Sequence, residues 1–333
     1  MDLQRNGSLV PHVTTSSLKA SFLFCIAVIE RFDSQVKCLS YPRLTRLVPL
    51  LFVLLWSTGF IGAKYALPYI EPFYLLFVRM LMTLVVFFAL ALVYRSRWPS
   101  LKQGGHQAVT GLLVHGCYLG GVFAAIKWDM PAGITAIIVG LQPLLTSLIG
   151  WQWLGERLRM VQWTGLFLGL VGVALILLNG QQSEALVIHP EAIVSVLIAL
   201  VAISVGTLYQ KKFGGQVDLL TGAIWQYLST AMLMGVLAFV FEERQVEWNM
   251  TLMLSLGWLV FGLSISAILL LMFMIREGES ARVASYFYLV PPVTSVEAWL
   301  LFGEALSWIQ VGAIFVTVFG VYLVLKPGRR ELA

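Results

Sequence analysis

Four ionisable side chains stand inside long apolar stretches of this 333-residue chain and are the first candidates for chemistry: Lys64, Arg79, His115 and Glu297. A charged side chain at the centre of a lipid bilayer costs about 2.5–3.5 kcal/mol or more, so such residues mark a site or a tie between helices. Arg79 could anchor a carboxylate substrate or gate the outer side, and Lys64 could face a cavity and attract anionic groups. The structural alternatives are that Arg79 bonds to backbone carbonyls or to Glu71, and that Lys64 extends to the lipid headgroups.

Glu297 and His115 are the candidates for proton transfer. Glu297 is the only acid well inside an apolar stretch, which makes it a candidate proton-coupling carboxylate; alternatively, it bonds to a neighbouring Trp or Ser. His115 could line a cavity as a proton relay, although a lone histidine is more often a packed, hydrogen-bonded residue. The sequence leaves both alternatives open.

Other aromatic and polar side chains on the apolar stretches fit the lining of a cavity for a mid-sized amphipathic substrate. These candidates are Trp56, Tyr118, Gln142, Tyr209, Tyr286 and Tyr288. Trp and Tyr also anchor helix ends at the membrane surface, which is the alternative for most of them. Trp56 lies in the middle of its stretch and fits that alternative poorly.

The elements that must position these residues follow from an internal duplication. Residues 289–326 align without a gap with residues 141–178, which lie 148 positions earlier, and 14 of the 38 positions are identical. Apolar composition alone would not match Pro, Trp, Glu and Gln in register, so the chain contains two copies of one unit. The identical pairs include Pro143/Pro291, Thr146/Thr294, Trp151/Trp299, Glu156/Glu304, Gln162/Gln310 and Gly172/Gly320.

Two features of the duplicated stretch predict specific roles. Pro143 and the pair Pro291–Pro292 fall at equivalent points, where proline bends a helix axis, so they are candidate hinges. Glu156 and Glu304 follow glycines at the turn into the next stretch, where an acid favours a helix N-terminus. We therefore predict that both glutamates cap helices.

Composition places the chain in the membrane. Hydrophobic residues make up 59% and charged residues 12%, against about 45–50% and about 25% in soluble domains. The net charge of +5 does not indicate nucleic acid, because the basic residues stand at the ends of apolar runs. Three cysteines without ligand spacing predict no metal site. We see neither a nucleotide-binding loop nor a catalytic constellation, so we expect no cofactor and no enzyme.

We predict an all-α membrane protein with ten transmembrane helices. Each apolar run is close to the ~20 residues that cross ~30 Å of hydrocarbon. The ten predicted spans are 48–66, 72–94, 106–126, 131–149, 161–178, 190–210, 218–241, 252–275, 282–301 and 307–325.

Orientation follows from lysine and arginine. With the N-terminus in the cytoplasm, the inner loops and tail hold fourteen of these residues and the outer loops hold two, Lys127 and Arg244. Both termini are then cytoplasmic. Five spans per copy is an odd number, so the second copy crosses the membrane in the opposite sense, as in the inverted repeats of many secondary transporters.

At this point the residues carry a resemblance. The string WSTGFIGAKYAL from Trp56 onward, Phe77-Val78-Arg79, and the twice-used P-x-x-T-S…G-E-x-L…Q…G-V resemble the EamA family of the drug/metabolite transporter superfamily. The resemblance covers residues 47–326 and implies a bundle of two inverted five-helix repeats. It also implies a central cavity lined by spans 1, 3, 4, 6, 8 and 9, and export of small metabolites such as amino acids.

We divide the chain into residues 47–178 and 190–326 as two EamA repeats, preceded by residues 1–46 as a disordered cytoplasmic extension. We expect a multi-pass secondary active transporter of the bacterial inner membrane that exports a small-molecule substrate by alternating access. We expect it to be a monomer or a weak homodimer. The alternatives are an importer of small metabolites and a non-transporting membrane scaffold or sensor.

Overall fold

The computed structural model describes residues 47–128, 130, 135, 138–155, 157–179, 189–277, 280–302 and 307–326. The predicted extension 1–46 lies outside the described residues, as do Glu156 and Glu304. The described part is all-helical and contains no strand, apart from an isolated antiparallel bridge between Ile70 and Val246.

Thirteen α-helices are described. They are α1 (Val48–Ala66), α2 (Pro72–Val93), α3 (Leu101–Gly111), α4 (Tyr118–Lys127), α5 (Gln142–Leu154), α6 (Met160–Asn179), α7 (Pro190–Phe213), α8 (Leu219–Phe241), α9 (Met250–Trp258), α10 (Ile268–Glu277), α11 (Ser280–Ser285), α12 (Val290–Phe302) and α13 (Trp308–Leu325). Within the described residues, six continuous helical stretches are long and apolar enough to cross a membrane: Pro72–Val93, Leu101–Ala125, Pro190–Phe213, Leu219–Phe241, Met250–Arg276 and Trp308–Leu325.

Two of these long stretches contain π-helical segments. Leu112–Cys117 joins α3 to α4, and Leu259–Ala267 joins α9 to α10. Shifted by the repeat offset of 148, the first segment becomes 260–265 and falls inside the second. Because π-helical turns in proteins frequently occur at functional sites, this duplicated feature points to the neighbourhood of His115 in one copy and Ser264 in the other.

The two copies meet through α6 and α13, which pack in antiparallel orientation. A Cβ built on Gly172 would lie 2.8 Å from the carbonyl oxygen of Ala313, and a Cβ on Gly320 would lie 2.7 Å from that of Gly165. Gly172 and Gly320 are equivalent positions, and so are Gly165 and Ala313. The contact is therefore self-similar, with each copy presenting the same positions to the other. Small residues allow this close approach of the two backbones.

The glutamines that are identical in both copies cap these two helices. The Gln162 side chain accepts a hydrogen bond from the backbone nitrogen of Arg159 at 2.9 Å, and Gln310 accepts one from Ser307 at 2.8 Å. Ser307 completes a capping box by accepting from the backbone nitrogen of Gln310. In each copy the duplicated glutamine thus lies three residues after the residue that precedes the helix and accepts a hydrogen bond from the backbone N–H of that residue.

The loops between helices are tied to one another at one end of the bundle. The Glu242 carboxylate accepts hydrogen bonds from the backbone nitrogens of Phe73 at 2.8 Å and Tyr74 at 2.7 Å. This satisfies donors that the first turn of α2 leaves without helical partners. The loop after α8 therefore holds the start of α2, and the bridge between Ile70 and Val246 reinforces the same contact.

Candidate functional site

Predicted spans 4 and 9 are interrupted helices rather than continuous ones. A turn at residues 140–141 precedes α5, and a 3-10 segment, Tyr286–Leu289, precedes α12. The repeat offset places 140–141 on 288–289, so both interruptions stand at the same point of their copies. Pro143, Pro291 and Pro292 lie in the first turns of α5 and α12, where a missing N–H loses no helical hydrogen bond.

Buried polar atoms without a hydrogen-bond partner concentrate in these interrupted spans. Within the described residues they are Gln142 Nε2, Thr146 Oγ1, Tyr288 OH and Glu297 Oε2. Gln142 and Thr146 lie in the first two turns of α5, Tyr288 is in the 3-10 segment, and Glu297 is in α12. Because buried polar groups are normally paired, this concentration marks spans 4 and 9 as the place where a ligand or water could bind. It includes Gln142, Tyr288 and Glu297 of the predicted site.

Tyr288 packs between the two copies as well as beside the interruption. Its ring approaches Gly169 of α6 so closely that a Cβ there would lie 2.5 Å from ring carbon Cδ2. It is buried with Leu166, Val321 and Val324, and Leu144 of α5 packs against the same cluster. Its hydroxyl is therefore the polar end of an otherwise apolar anchor. Tyr286, two residues earlier, is half-buried against the main core cluster.

Glu297 contacts the first copy through α1. Its Oε1 accepts a hydrogen bond of 2.7 Å from the hydroxyl of Ser57, a fully buried residue, whereas Oε2 has no partner among the described residues. A hydrogen bond to a serine is what we expect if Glu297 has a structural role instead of carrying a proton. It still leaves one carboxylate oxygen available inside the bundle.

Trp56 precedes Ser57 on α1 and packs against aromatic side chains of neighbouring segments. Trp56 packs against Phe52 and Phe287, with ring centroids 5.1 and 5.3 Å away. It also packs against the cluster that contains Val114 and Tyr118. Aromatic side chains of α1, α4 and the 3-10 segment before α12 are thus brought together around Trp56.

Arg79 is buried and contacts Ser264. Its Nε donates a 2.8 Å hydrogen bond to the Ser264 hydroxyl on the second π-helical segment, and only 7% of the residue is exposed. Glu71, the acid considered as its partner, instead accepts from the backbone nitrogens of Arg244 and Gln245. Tyr227 of α8 donates a 3.0 Å hydrogen bond to the backbone oxygen of Ser264.

His115 belongs to a second buried polar chain. Its Nε2 lies 3.2 Å from Oε1 of Gln226, and Gln226 Nε2 donates to Gln107 Oε1 at 2.7 Å. The His115 ring also lies 4.9 Å from the ring of Tyr227. This chain ties the first π-helical segment to α8, in the same way that Arg79 ties α2 to the second segment.

Tyr209 contacts Trp153 at the far end of α5 rather than the interruption that precedes α5. It belongs to what we name the terminal aromatic cluster: His106, Trp153, Tyr209 and Phe213. The Tyr209 hydroxyl is 2.6 Å from His106 Nδ1, and the His106 ring stacks on Phe213 with centroids 4.5 Å apart. The Nζ of Lys212 lies 4.7 Å above the Trp153 ring. The side chain of Lys64, its counterpart in the first copy, lies outside the part that the structure describes.

Sequence analysis did not predict several polar residues that form these buried contacts: His106, Gln107, Gln226, Tyr227 and Ser264. For Tyr227 a signal existed, since it stands 148 positions after Arg79. Gln107 and Gln226 carry no periodic or repeat signal, because their pairing depends on how two distant helices pack.

Comparison with known proteins places the chain among membrane transporters. The model of the EamA-like transporter family matches residues 45–178 and 191–326. The uncharacterized transporter YvbV of Bacillus subtilis is 27% identical over 87% of this chain and 94% of its own length. The uncharacterized inner membrane transporter YedA of Escherichia coli K12 is 28% identical over 85% of this chain and 92% of its own.

Two further similarities bear on activity and fold. A protein of Salmonella typhimurium named probable amino-acid metabolite efflux pump is 28% identical over 82% of this chain and 92% of its own length. A solved crystal structure superimposes with a TM-score of 0.73 over 87% of this chain and 99% of that one, at 22% identity. At that identity the likeness concerns the fold alone.

Proposed function

The chain belongs to the EamA-like transporter family, and from that membership we propose that it is a secondary active transporter that exports small metabolites by alternating access. It is a multi-pass bacterial membrane protein with two EamA repeats. Amino acids are the proposed substrate class, in line with the name of the Salmonella relative. The proposed arrangement is ten spans as two inverted repeats, with both termini in the cytoplasm.

The observation that carries the proposal is the pair of interruptions in spans 4 and 9. Interrupted helices that leave polar groups near the middle of the bundle are typical of substrate sites in transporters built from inverted repeats. Here the two interruptions are equivalent positions of the two copies. Beside each lies a buried polar group that has no hydrogen-bond partner among the described residues: Gln142 in one copy and Tyr288 in the other. We assign them to substrate contact.

The remaining site residues take roles that fit this arrangement. Trp56, packed with Tyr118 and Phe287, supplies an aromatic wall suited to the apolar part of an amphipathic substrate. Glu297 is the proposed proton-coupling carboxylate, because one oxygen accepts from Ser57 while the other has no hydrogen-bond partner in the part of the chain that the structure describes. Pro143, Pro291 and Pro292 are the proposed hinges, and Lys64 keeps its proposed role as an attractor of anionic groups.

The terminal aromatic cluster is the proposed closure of the cytoplasmic end. His106 and Trp153 come from the first copy, and Tyr209 and Phe213 come from the second. At the equivalent positions of the opposite end the sequence has Leu254, Leu301, Ile61 and Tyr65. His106 and Tyr209 correspond there to Leu254 and Ile61, whose side chains cannot form a hydrogen bond. The pair of His106 and Tyr209 is therefore particular to one end of the bundle, although the helices that form the two ends are copies.

The proposal is tested by substrate flux. Cells that overproduce the chain are grown on toxic amino acids and metabolite analogues, beside cells that produce Gln142→Leu at equal protein level. We expect resistance to one chemical class, and its loss in the variant. Purified protein in vesicles then measures counterflow of the same compounds. The absence of flux for every compound of a broad panel, with folded protein in the vesicles, would contradict transport.

A further inference from the structure

A groove at one end of α5 and α6 has the composition of a lipid site. Leu148, Trp151, Arg157, Leu158 and Trp163 line a volume of about 480 Å³. The groove exists because α5 stops at Gly155, whose φ of +71° is a left-handed conformation that glycine adopts without strain. The chain then turns into α6, and two tryptophans face the space between the helices.

The groove opens toward the surroundings of the bundle rather than into its core. Leu148 is 45% exposed and Trp151 is 52% exposed, while Trp163 packs against the buried cluster around Tyr288. In a membrane protein such outward apolar side chains face acyl chains. Tryptophan at a helix end prefers the level of the lipid headgroups.

Arg157 supplies a charge at the rim of this apolar groove. Its side chain is exposed, and it makes no hydrogen bond or ion pair with any residue in the described ranges. Arg159, two residues later, is instead engaged with the backbone oxygen of Lys326. Of these two arginines, Arg157 is therefore the one for which the described residues supply no partner. A guanidinium binds phosphate through paired hydrogen bonds.

The duplication shows that this charge is not part of the common fold. Trp151 has a tryptophan at the equivalent position, Trp299, whereas Arg157 and Arg159 are replaced by Ala305 and Ser307. One copy alone combines the aromatic residue with a cation. On the predicted topology this copy's turn lies at the cytoplasmic surface, where anionic lipids attract basic residues.

We propose that this groove binds one anionic phospholipid, with its phosphate on Arg157 and its glycerol and upper acyl chain against Trp151 and Trp163. The inference does not depend on what the protein transports or in which direction. The charge selects the headgroup, and the two indoles provide contact area that does not distinguish between headgroups.

The test is native mass spectrometry of the full chain in detergent, titrated with phosphatidylglycerol or with phosphatidylcholine of the same acyl chains. We expect tighter binding of phosphatidylglycerol. Arg157→Gln should weaken it about fivefold, which corresponds to about 1 kcal/mol for one basic residue near an anionic surface. Phosphatidylcholine binding should not change.

Matched variants separate the groove from general effects. Arg97→Gln removes the same charge from another loop and should leave both lipids unchanged. Trp151→Ala should weaken both lipids alike, and Trp308→Ala, which removes a tryptophan that is 90% exposed, should weaken neither. Because Arg157 is exposed, its variant should elute from gel filtration like the parent chain.

Three results would overturn the proposal. The first is equal binding of the two lipids by the parent chain. The second is an equal loss of phosphatidylglycerol in Arg157→Gln and Arg97→Gln, which would assign the preference to overall charge. The third is displacement of phosphatidylglycerol by millimolar inorganic phosphate, which would assign Arg157 to a soluble anion.

Discussion

Arg79 and Tyr227 occupy equivalent positions of the two repeats, 148 residues apart, and both hydrogen-bond to the same residue, Ser264. Arg79, on α2, donates to the hydroxyl of Ser264, and Tyr227, on α8, donates to the backbone oxygen of Ser264. Ser264 lies on the π-helical segment of the second copy. Two symmetry-related positions thus converge on a single point, which makes the buried polar region asymmetric although its helices are copies.

We predict that Arg79 and Ser264 are energetically coupled. Arg79→Gln and Ser264→Ala should each lower the free energy of unfolding by about 1–2 kcal/mol, because each removes one partner of a buried hydrogen bond to a charged group. The double variant should cost at least ~0.5 kcal/mol less than the sum of the two. Denaturant unfolding of the purified chain measures all three.

The control for this cycle is Ser266→Ala on the same π-helical segment. The Ser266 hydroxyl donates to the backbone oxygen of Phe261 in its own helix. The decreases in the free energy of unfolding caused by Ser266→Ala and by Arg79→Gln should therefore be additive in the double variant. Additive behaviour of Ser264→Ala as well would contradict the assignment of Arg79 as a tie between α2 and α9–α10. It would return Arg79 to the candidates for substrate contact.

Duplication and hydropathy predict the helical fold and the equivalence of the two copies, because both leave a periodic signal in the sequence. They do not predict the interruptions before Pro143 and Pro291. A proline within a span marks a perturbation, but whether the helix bends around it or begins there depends on the surrounding packing. The sequence predicts hinges at the three prolines within continuous spans, whereas in the structure each proline lies in the first turn of a helix; their role as hinges stays a prediction.

From the sequence, the residues of the candidate site that can be picked out are those whose ionisable side chains interrupt an apolar stretch. Arg79, His115 and Glu297 stand out because ionisable groups are rare there. Gln226 and Ser264 did not, because a single Gln or Ser in a span is unremarkable until its partner is known. The pairing of Ser57 with Glu297 spans 240 residues, and only the tertiary packing of α1 against α12 brings them together.

We predict that the contact between α6 and α13 tolerates no side chain at Gly320. A Cβ there would lie 2.6 Å from the backbone nitrogen of Gly169, and a helix backbone cannot yield as a flexible side chain does. Gly320→Ala should therefore lower the free energy of unfolding by about 1–3 kcal/mol. The measurement is thermal unfolding followed by gel filtration.

Gly312→Ala is the matched control on the same helix. A Cβ at Gly312 meets no described atom within 4 Å, so this variant should be at least as stable as the parent chain, given the better helix propensity of alanine. Equal stability of the two variants would show that α6 and α13 can separate without loss. That result would contradict the close contact between the copies.

We predict that the hydrogen bond between His106 and Tyr209 stabilises the proposed closure at the end of the bundle that carries the terminal aromatic cluster. Tyr209→Phe keeps the aromatic contacts with Phe213 and removes the hydroxyl that lies 2.6 Å from His106. A loss of about 1 kcal/mol shifts a two-state equilibrium about fivefold toward the open end. The native cysteines are replaced, and spin labels are attached to cysteines introduced at the exposed positions Lys102 and Gly215. The distance distribution between the two labels should then show a larger population at the longer distance in Tyr209→Phe.

Tyr322→Phe is the control for that shift, because Tyr322 is exposed on α13, far along the chain from the cluster. It should leave the distance distribution unchanged. A distribution that is also unchanged in Tyr209→Phe would contradict the assigned role of the hydrogen bond. The aromatic cluster would then be an ordinary contact between the end of α7 and the start of α3.

We predict that Glu297→Gln separates proton coupling from substrate exchange. The glutamine side chain keeps an oxygen to accept from Ser57, 2.7 Å away in the parent chain, so the contact between α1 and α12 should persist. What the variant loses is the ability to gain and release a proton, which the proposed coupling requires. In vesicles, uptake driven by a pH gradient should fall to background, whereas exchange of labelled for unlabelled substrate should continue.

Ser57→Ala distinguishes this outcome from simple structural damage. It removes the hydrogen bond but keeps the carboxylate, so gradient-driven transport should persist at a reduced rate. If Glu297→Gln and Ser57→Ala impair exchange and gradient-driven uptake to the same extent, Glu297 acts as a helix tie and the coupling group lies elsewhere. If Glu297→Gln leaves gradient-driven uptake intact, proton coupling through this carboxylate is excluded, because a glutamine side chain cannot gain and release the coupled proton.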